Sequence, residues 1–175
     1  MLRSSIRPAS PSELPEIVAT DDEAMDLYRS AGVELGLSDD HPFAVAERGR
    51  WRRSVERGSL FVAVESERIV GFASLDCVDD EPYLDQLSVR ASAARRGIGR
   101  ALLREAVAWG RAQSGGGVAL TTYRHVPFNG PFYASEGFVF LPEDACGPGI
   151  HHHLDEQRRW LPFPEQRVAM RRPLP

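Results

Sequence analysis

Ala94-Arg95-Arg96-Gly97-Ile98-Gly99-Arg100-Ala101-Leu102-Leu103 is the stretch on which the reading of this chain turns. It follows a predicted strand, Tyr83 to Val89, and opens a predicted helix from about Ile98 to Gln113. Ile98, Ala101, Leu102, Ala106 and Trp109 form the expected buried stripe of that helix. The two glycines lack Cβ, so the backbone there can turn tightly and approach a ligand closely. The first amides of a helix have no partner inside it and carry partial positive charge. Strand, glycine turn and helix start together make an anion site suited to phosphate. Arg95, Arg96 and Arg100 crowd the same turn with planar donors that match phosphate oxygens. Read alone, the segment also fits a strand-to-helix loop with solvated arginines.

The surrounding elements decide between these readings. Arg3 to Pro8 suggests a short first strand, and Ser10-Pro11-Ser12-Glu13 carries the polar cap, proline and acid of a helix start. Leu14, Ile17 and Val18 then recur at helical spacing, and a second helix spans about Phe43 to Arg57 before Gly58. Ser59 to Glu65 and Arg68 to Val78 read as strands joined by a tight Ser66-Glu67 turn. Asp79 to Pro82 turns into the strand Tyr83 to Val89. After the glycine motif and its helix come a strand from Val118 to Tyr123 and a short helix capped by Asn129 with Pro131 in its first turn. A strand from Phe138 to Leu141, a helix around His151 to Trp160 and a final strand from Arg167 to Arg171 complete the order. This is an α/β pattern with a mixed sheet, expected as one domain over residues 1–175.

Composition narrows the classes. The formal net charge is −4, which argues against generic nucleic-acid binding. All 21 basic residues are arginine, so no side chain can be acetylated on lysine. No apolar run approaches the ~18 residues of a membrane span. Met1 to Pro8 lacks the apolar core of a signal peptide, so a cytoplasmic location is expected. Cys77 sits in an apolar run and reads as a small core residue; neither it nor Cys146 has a partner at zinc-ligand spacing.

Three segments in fixed order carry a family resemblance. They are Tyr83-Leu84-Asp85-Gln86-Leu87-Ser88-Val89, then Arg95 to Leu103, then Asn129-Gly130-Pro131-Phe132-Tyr133-Ala134-Ser135-Glu136-Gly137-Phe138. Over about Ile6 to Arg172 the chain resembles the GNAT superfamily of N-acetyltransferases. The resemblance implies a mixed, mostly antiparallel twisted sheet with flanking helices, acetyl-CoA as cosubstrate and no metal. It implies that the fourth and fifth strands splay and that Leu87, Ser88 and Val89 border the pantetheine arm, with main-chain bonds from Leu87 and Val89 like an added strand. It implies a pyrophosphate held by amides of Arg95, Arg96, Gly97, Ile98, Gly99, Arg100 and Ala101. Two departures stand out. Ala94 occupies a position that is usually Gln or Arg, and Val126 stands where Asn often precedes the tyrosine. Helix capping is therefore the expected role of Asn129.

The implied reaction is direct acetyl transfer to an amine, which must lose a proton from an ammonium of pKa about 10. Tyr133 resembles the family tyrosine that donates to the departing thiolate; a tyrosine simply packed against the sheet is the alternative. Asp85 is the first candidate to accept or orient the ammonium proton, and an exposed strand carboxylate is the alternative reading. His125 is the second candidate base, with an ordinary pKa of about 6.5. The Leu87 N–H is placed to polarise the thioester carbonyl. Consecutive His151, His152 and His153 point in different directions and read as a solvated helix segment, with a contribution to the acceptor pocket or to a subunit contact, such as that of a homodimer, as the alternatives. Between Asp21 and Asp40 seven acids face only Arg29, either as solvated surface or as a rim attracting a cationic amine. The leading expectation is a small-molecule amine acetyltransferase. The alternatives are a peptide or protein N-terminal acetyltransferase and a non-catalytic acyl-CoA-binding sensor.

Overall fold

The computed structural model describes residues 4–113 and 115–175. Arg3, the expected start of the first strand, lies outside them. Seven strands form one sheet: β1 (Ser5–Pro8), β2 (Leu60–Glu65), β3 (Arg68–Val78), β4 (Glu81–Val89), β5 (Gly117–Tyr123), β6 (Val139–Leu141) and β7 (Arg167–Pro173). Their spatial order is β1-β2-β3-β4-β5-β7-β6, and every neighbouring pair is antiparallel except β4 with β5. Five α-helices flank it: α1 (Leu14–Ser30), α2 (Pro42–Glu56), α3 (Ile98–Ala112), α4 (Gly130–Ser135) and α5 (Pro148–Trp160).

Local chemistry sets the early strands. Ser66 and Glu67 both have positive φ (47° and 63°), as do Asp79 and Asp80 (54° and 60°). That turn geometry follows the right-handed twist of the strands it joins. Along β2, Phe61 and Ala63 pack with Leu102, Leu103 and Ala106 of α3, while Leu60 and Val62 pack with Ile17 of α1 and Trp51 and Val55 of α2. Both faces of the sheet are covered, so its inner strands read as continuous apolar runs.

Three expectations change. Cys77 is exposed, because the β3–β4 hairpin runs past the core at that point; both cysteines are free. The buried stripe of α3 is Ile98, Leu102, Leu103, Ala106, Val107 and Gly110, with Ala101 and Trp109 at its half-buried borders. A helix lying flat on a sheet buries a wider face than a narrow stripe. Asn129 occupies the position before α4 but makes no side-chain cap; its amide is turned to Tyr28 Oη (3.1 Å) and Phe128 O (3.1 Å).

Two helix starts are capped from outside the expected pattern. The His41 ring accepts from Phe43 N (3.1 Å) at α2. The Asp79 carboxylate accepts from Gly149 N (2.7 Å) and Ile150 N (3.0 Å), tying α5 to the β3–β4 turn. Among the described residues, no helix is long and apolar enough to cross a membrane.

Candidate active site

The site begins with an irregularity in β4. Ser74 of β3 pairs with Gln86 and Leu75 pairs with Leu84, which leaves Asp85 as the extra residue of a β-bulge. The parallel pairing of β4 with β5 stops at Leu84 and Leu120. Beyond the bulge the two strands part. Arg90 N–H donates to Val70 O (2.9 Å), toward β3. Main-chain groups alternate sides along a strand, so Ser88 also faces β3, while Leu87 and Val89 face the edge that β5 has left.

That open edge leads to the glycine turn. Gly97 precedes α3 with φ 83°, a left-handed conformation that favours glycine. Ala101 N–H is the first amide to find a backbone partner, Gly97 O (3.0 Å). Among the described residues the amides of Arg95 to Arg100 are thus without a backbone partner, while that of Ala101 is engaged by the helix. Arg95, Arg96 and Arg100 are exposed; Arg96 bonds Glu65 (2.8 Å) and Arg100 bonds Glu136 (2.5 Å). Among the described residues Arg95 makes no ion pair. The turn therefore fits a bound polyphosphate.

A cavity of about 180 Å³ lies where β4 and β5 separate, lined by Leu84 to Leu87 on one side and Leu120 to Tyr123 on the other. Tyr133 of α4 borders it and is buried, and burial pushes its phenol pKa up. Asp85 also borders it. Its Oδ1 accepts from Arg50 Nε (2.9 Å), and its Oδ2 is buried without a partner. Burial raises the Asp85 carboxyl, against the opposing pull of Arg50. Asp21 of α1 accepts from Ser88 Oγ and from Gln86 Nε2 (2.9 Å). Burial raises its carboxyl too, against those two donors. The Ser88 hydroxyl and main chain are thus both engaged away from the gap.

Glu47 of α2 completes the group and was missed in the sequence. Burial, then repulsion from Asp21 and Asp85, pushes its carboxyl up to about 8. The signal was present: Phe43, Glu47 and Trp51 recur at i, i+4 on the cavity face of α2, with one acid in an aromatic stripe. His125 is not in this group. The chain turns out of β5 after Tyr123, so Val126 goes inward while His125 is exposed, edge-on to the Tyr123 and Phe163 rings (5.7 Å each).

A family model described as an acetyltransferase (GNAT) domain matches residues 56–140, which hold the bulge, the glycine turn and Tyr133. Residues 56–140 carry a GNAT acetyltransferase domain. Solved structures share the GNAT fold over the chain's length. PaiA N-acetyltransferase from Thermoplasma acidophilum, in complex with coenzyme A, has a TM-score of 0.69 at 16% identity, covering 98% of this chain and 99% of that one. Ribosomal-protein-alanine N-acetyltransferase from Brucella melitensis gives 0.66 at 20% identity, covering 97% and 99%. N-acetylglutamate synthase from Neisseria gonorrhoeae, with coenzyme A and N-acetyl-glutamate, gives 0.70 at 19% identity, covering 98% of this chain and 35% of that longer one.

The remaining expected features lie apart from the GNAT cavity's reactive groups. Glu23 bonds Arg90 (2.8 Å) and Arg68 (3.2 Å), and Ser92 donates to it; it is a structural tie between α1 and the end of β4, not a rim acid. Asp22 and Asp39 flank Arg48, and Asp26 and Glu34 flank Arg29. His153 stacks on Tyr83 (4.7 Å, 19°), so it is more than solvated surface. Burial, then Arg50, lowers its pKa to about 4. Among the described residues, no cluster of three or more His, Cys, Asp or Glu is arranged to hold a metal.

Proposed function

We propose that the protein transfers an acetyl group from acetyl-CoA to a primary amine by direct attack. One observation carries this reading: the cavity bearing Glu47 and Tyr133 opens in the gap that starts at the Asp85 bulge. Acetyl-CoA supplies an acetyl group already activated as a thioester. The unpaired main-chain edge at Leu87 and Val89 suits an extended amide-bearing arm. The free amides of Arg96 to Arg100 suit its pyrophosphate, and Arg95 is the arginine free to meet a phosphate. The Leu87 N–H lies on the gap side, where it can polarise a carbonyl.

Two groups of the chain handle protons. Glu47, with its carboxyl raised to about 8, is a stronger base than an ordinary glutamate; its ionised form, which gains population as pH rises through 8, takes the ammonium proton. Tyr133 keeps its phenol protonated and donates to the departing sulfur. Asp85 holds Arg50 and adds negative potential; with one oxygen paired and the other buried, it orients charge rather than carrying the proton away. Asp21 and Asp85, joined by Glu47 once it ionises, favour a small cationic amine over a neutral one.

The names of the fold neighbours include both an amino-acid product and a ribosomal-protein acceptor, so the acceptor class must be argued from this cavity. The test is thiol release from acetyl-CoA across a panel of small amines, beside a panel of peptides with free N-termini. Turnover with small amines and little with peptides is expected. Tight CoA binding with no turnover on either panel would favour the sensor reading instead. A cytoplasmic location, where acetyl-CoA is made and used, fits this function.

A further inference from the structure

We infer that the acceptor carries a carboxylate as well as its amine, and that Arg167 of β7 receives that carboxylate. This rests on the acetyl-transfer reading and names its acceptor class. Arg167 borders the same cavity as Glu47 and Tyr133 and is 7% exposed. Its guanidinium carbon stands over the Tyr123 ring, 4.5 Å from the ring centre, a cation–π contact. Nη2 donates to Gln157 Oε1 (2.6 Å), while Nε is buried with no partner. Among the described residues no carboxylate lies within ion-pair distance of Arg167. Glu47 borders the same cavity without closing that pair.

A guanidinium in this position cannot relieve its burial by giving up a proton. Burial lowers the Arg167 pKa, but from the very high value of an ordinary guanidinium. A buried charge with an unused donor and no counter-ion is strongly unfavourable unless an anion joins it. The guanidinium fork matches a carboxylate in shape and charge. A phosphate fits less well, because Asp21 and Asp85 border the same space and repel a second negative charge. Those acids suit the other end of the acceptor, its ammonium. The cavity therefore presents both signs to one small molecule, as an amino acid requires. A simple polyamine would bring more positive charge to Arg167 and leave it unpaired. The walls at Tyr28, Leu37 and Phe43 suit an uncharged side chain.

The test uses matched sets: L-leucine, L-methionine and L-phenylalanine, their carboxamides, and the amines left after decarboxylation. Thiol release gives kcat/KM, and calorimetry on the CoA-saturated protein gives acceptor affinity. The free amino acids are expected to exceed their carboxamides about 10- to 100-fold in both, the range of one charge-assisted hydrogen-bonded contact. Arg167→Met should narrow that ratio to within about threefold, and Arg167→Lys should keep part of it. The wild-type comparison needs no variant, so a misfolded Arg167→Met leaves the test intact. Equal binding and turnover of acids, carboxamides and decarboxylated amines would overturn the inference while acetyl transfer stood. So would a preference for peptides with no carboxylate near the amine. If no amine releases thiol, acetyl transfer falls, and calorimetry still decides: amino-acid binding that weakens in Arg167→Met supports the carboxylate site, and no binding overturns it.

Discussion

At the scale of single residues, the proposed mechanism divides proton transfer between Glu47 and Tyr133, and burial moves both pKa values upward. Tyr133→Phe keeps the ring in its packing and removes the phenolic proton. Its kcat should fall about 10²-fold, with the KM for acetyl-CoA changing little, as steady-state and single-turnover rates will show. Glu47→Gln keeps the shape and removes the base. In the wild type, kcat/KM should rise with pH through an ionisation near 8; in the variant the rate should drop about 10²-fold and that ionisation should vanish, leaving the acceptor's own titration. Tyr133 was legible because the Tyr-to-Gly-Phe motif marks it. Glu47 was legible only as a pattern on α2, since its pKa depends on Asp21 and Asp85, which lie on two other elements. Arg167 was not legible: it opens the last strand, and its lack of a counter-ion is a fact of three-dimensional packing. His125 misled because the direction in which a chain leaves a strand is not written in that residue.

At the scale of elements, the glycine turn and the bulge do different work. Gly97 has φ 83° and nothing within 4 Å of an added Cβ, so the demand there is conformational and not steric. Gly97→Val should disfavour the left-handed turn and misaim the amides of Arg96 to Arg100. Calorimetry should show CoA affinity weakened at least about tenfold in a folded variant, the size of one lost charge-assisted contact. The main elements were readable from periodicity, and β3 was read to its observed ends at Arg68 and Val78. The bulge was not readable, because it depends on how Ser74 and Leu75 pair across the sheet. Nor was the capping of α5 by Asp79, which acts from about 70 residues earlier in the chain. Local signals predict caps supplied by neighbours in sequence; those two features join elements that only the finished sheet brings together.

At the scale of the whole molecule, ionisable groups pull stability in opposite directions with pH. Glu13 and Glu23 are lowered from 4.5 to about 2, first by the hydrogen bond from Arg7 and the one from Ser92 respectively. Their folded forms bind fewer protons than the unfolded chain, so their stabilisation is present above about 4.5 and is lost as pH falls toward 2. His153 is lowered from 6.5 to about 4, so its neutral folded form adds stability above 6.5 that is lost between 6.5 and 4. Glu47 is raised from 4.5 to about 8, so the folded state keeps a proton that the unfolded chain releases, and stability falls as pH rises from 4.5 to 8. Asp21 and Asp85 are raised in the same sense, so their contribution also falls as pH rises above 3.8. The Tm should therefore climb from pH 2 to about 4.5, where Glu13 and Glu23 ionise. Between 4.5 and 6.5 the gain from His153 opposes the loss from Glu47. From 6.5 to 8 only the loss remains, so maximum stability lies on the acid side of neutrality. Calorimetric scans across pH 2 to 9 check this profile. Glu47→Gln should abolish most of the decline above 6.5 and be more stable than wild type at pH 8, even though it is the less active protein. Glu23→Gln should do the reverse. It leaves buried Arg90 without its carboxylate, destabilises by about 2 kcal/mol at pH 7, and lowers Tm by roughly 4–8 °C for a chain of this size. Its difference from wild type should shrink as pH falls below 4.5 and close only below about 2, where folded Glu23 is itself protonated. A Tm that rose steadily from 6.5 to 8 in the wild type would show that Glu47 is already charged in the folded protein at neutral pH, and the rise of kcat/KM near 8 would then belong to another group.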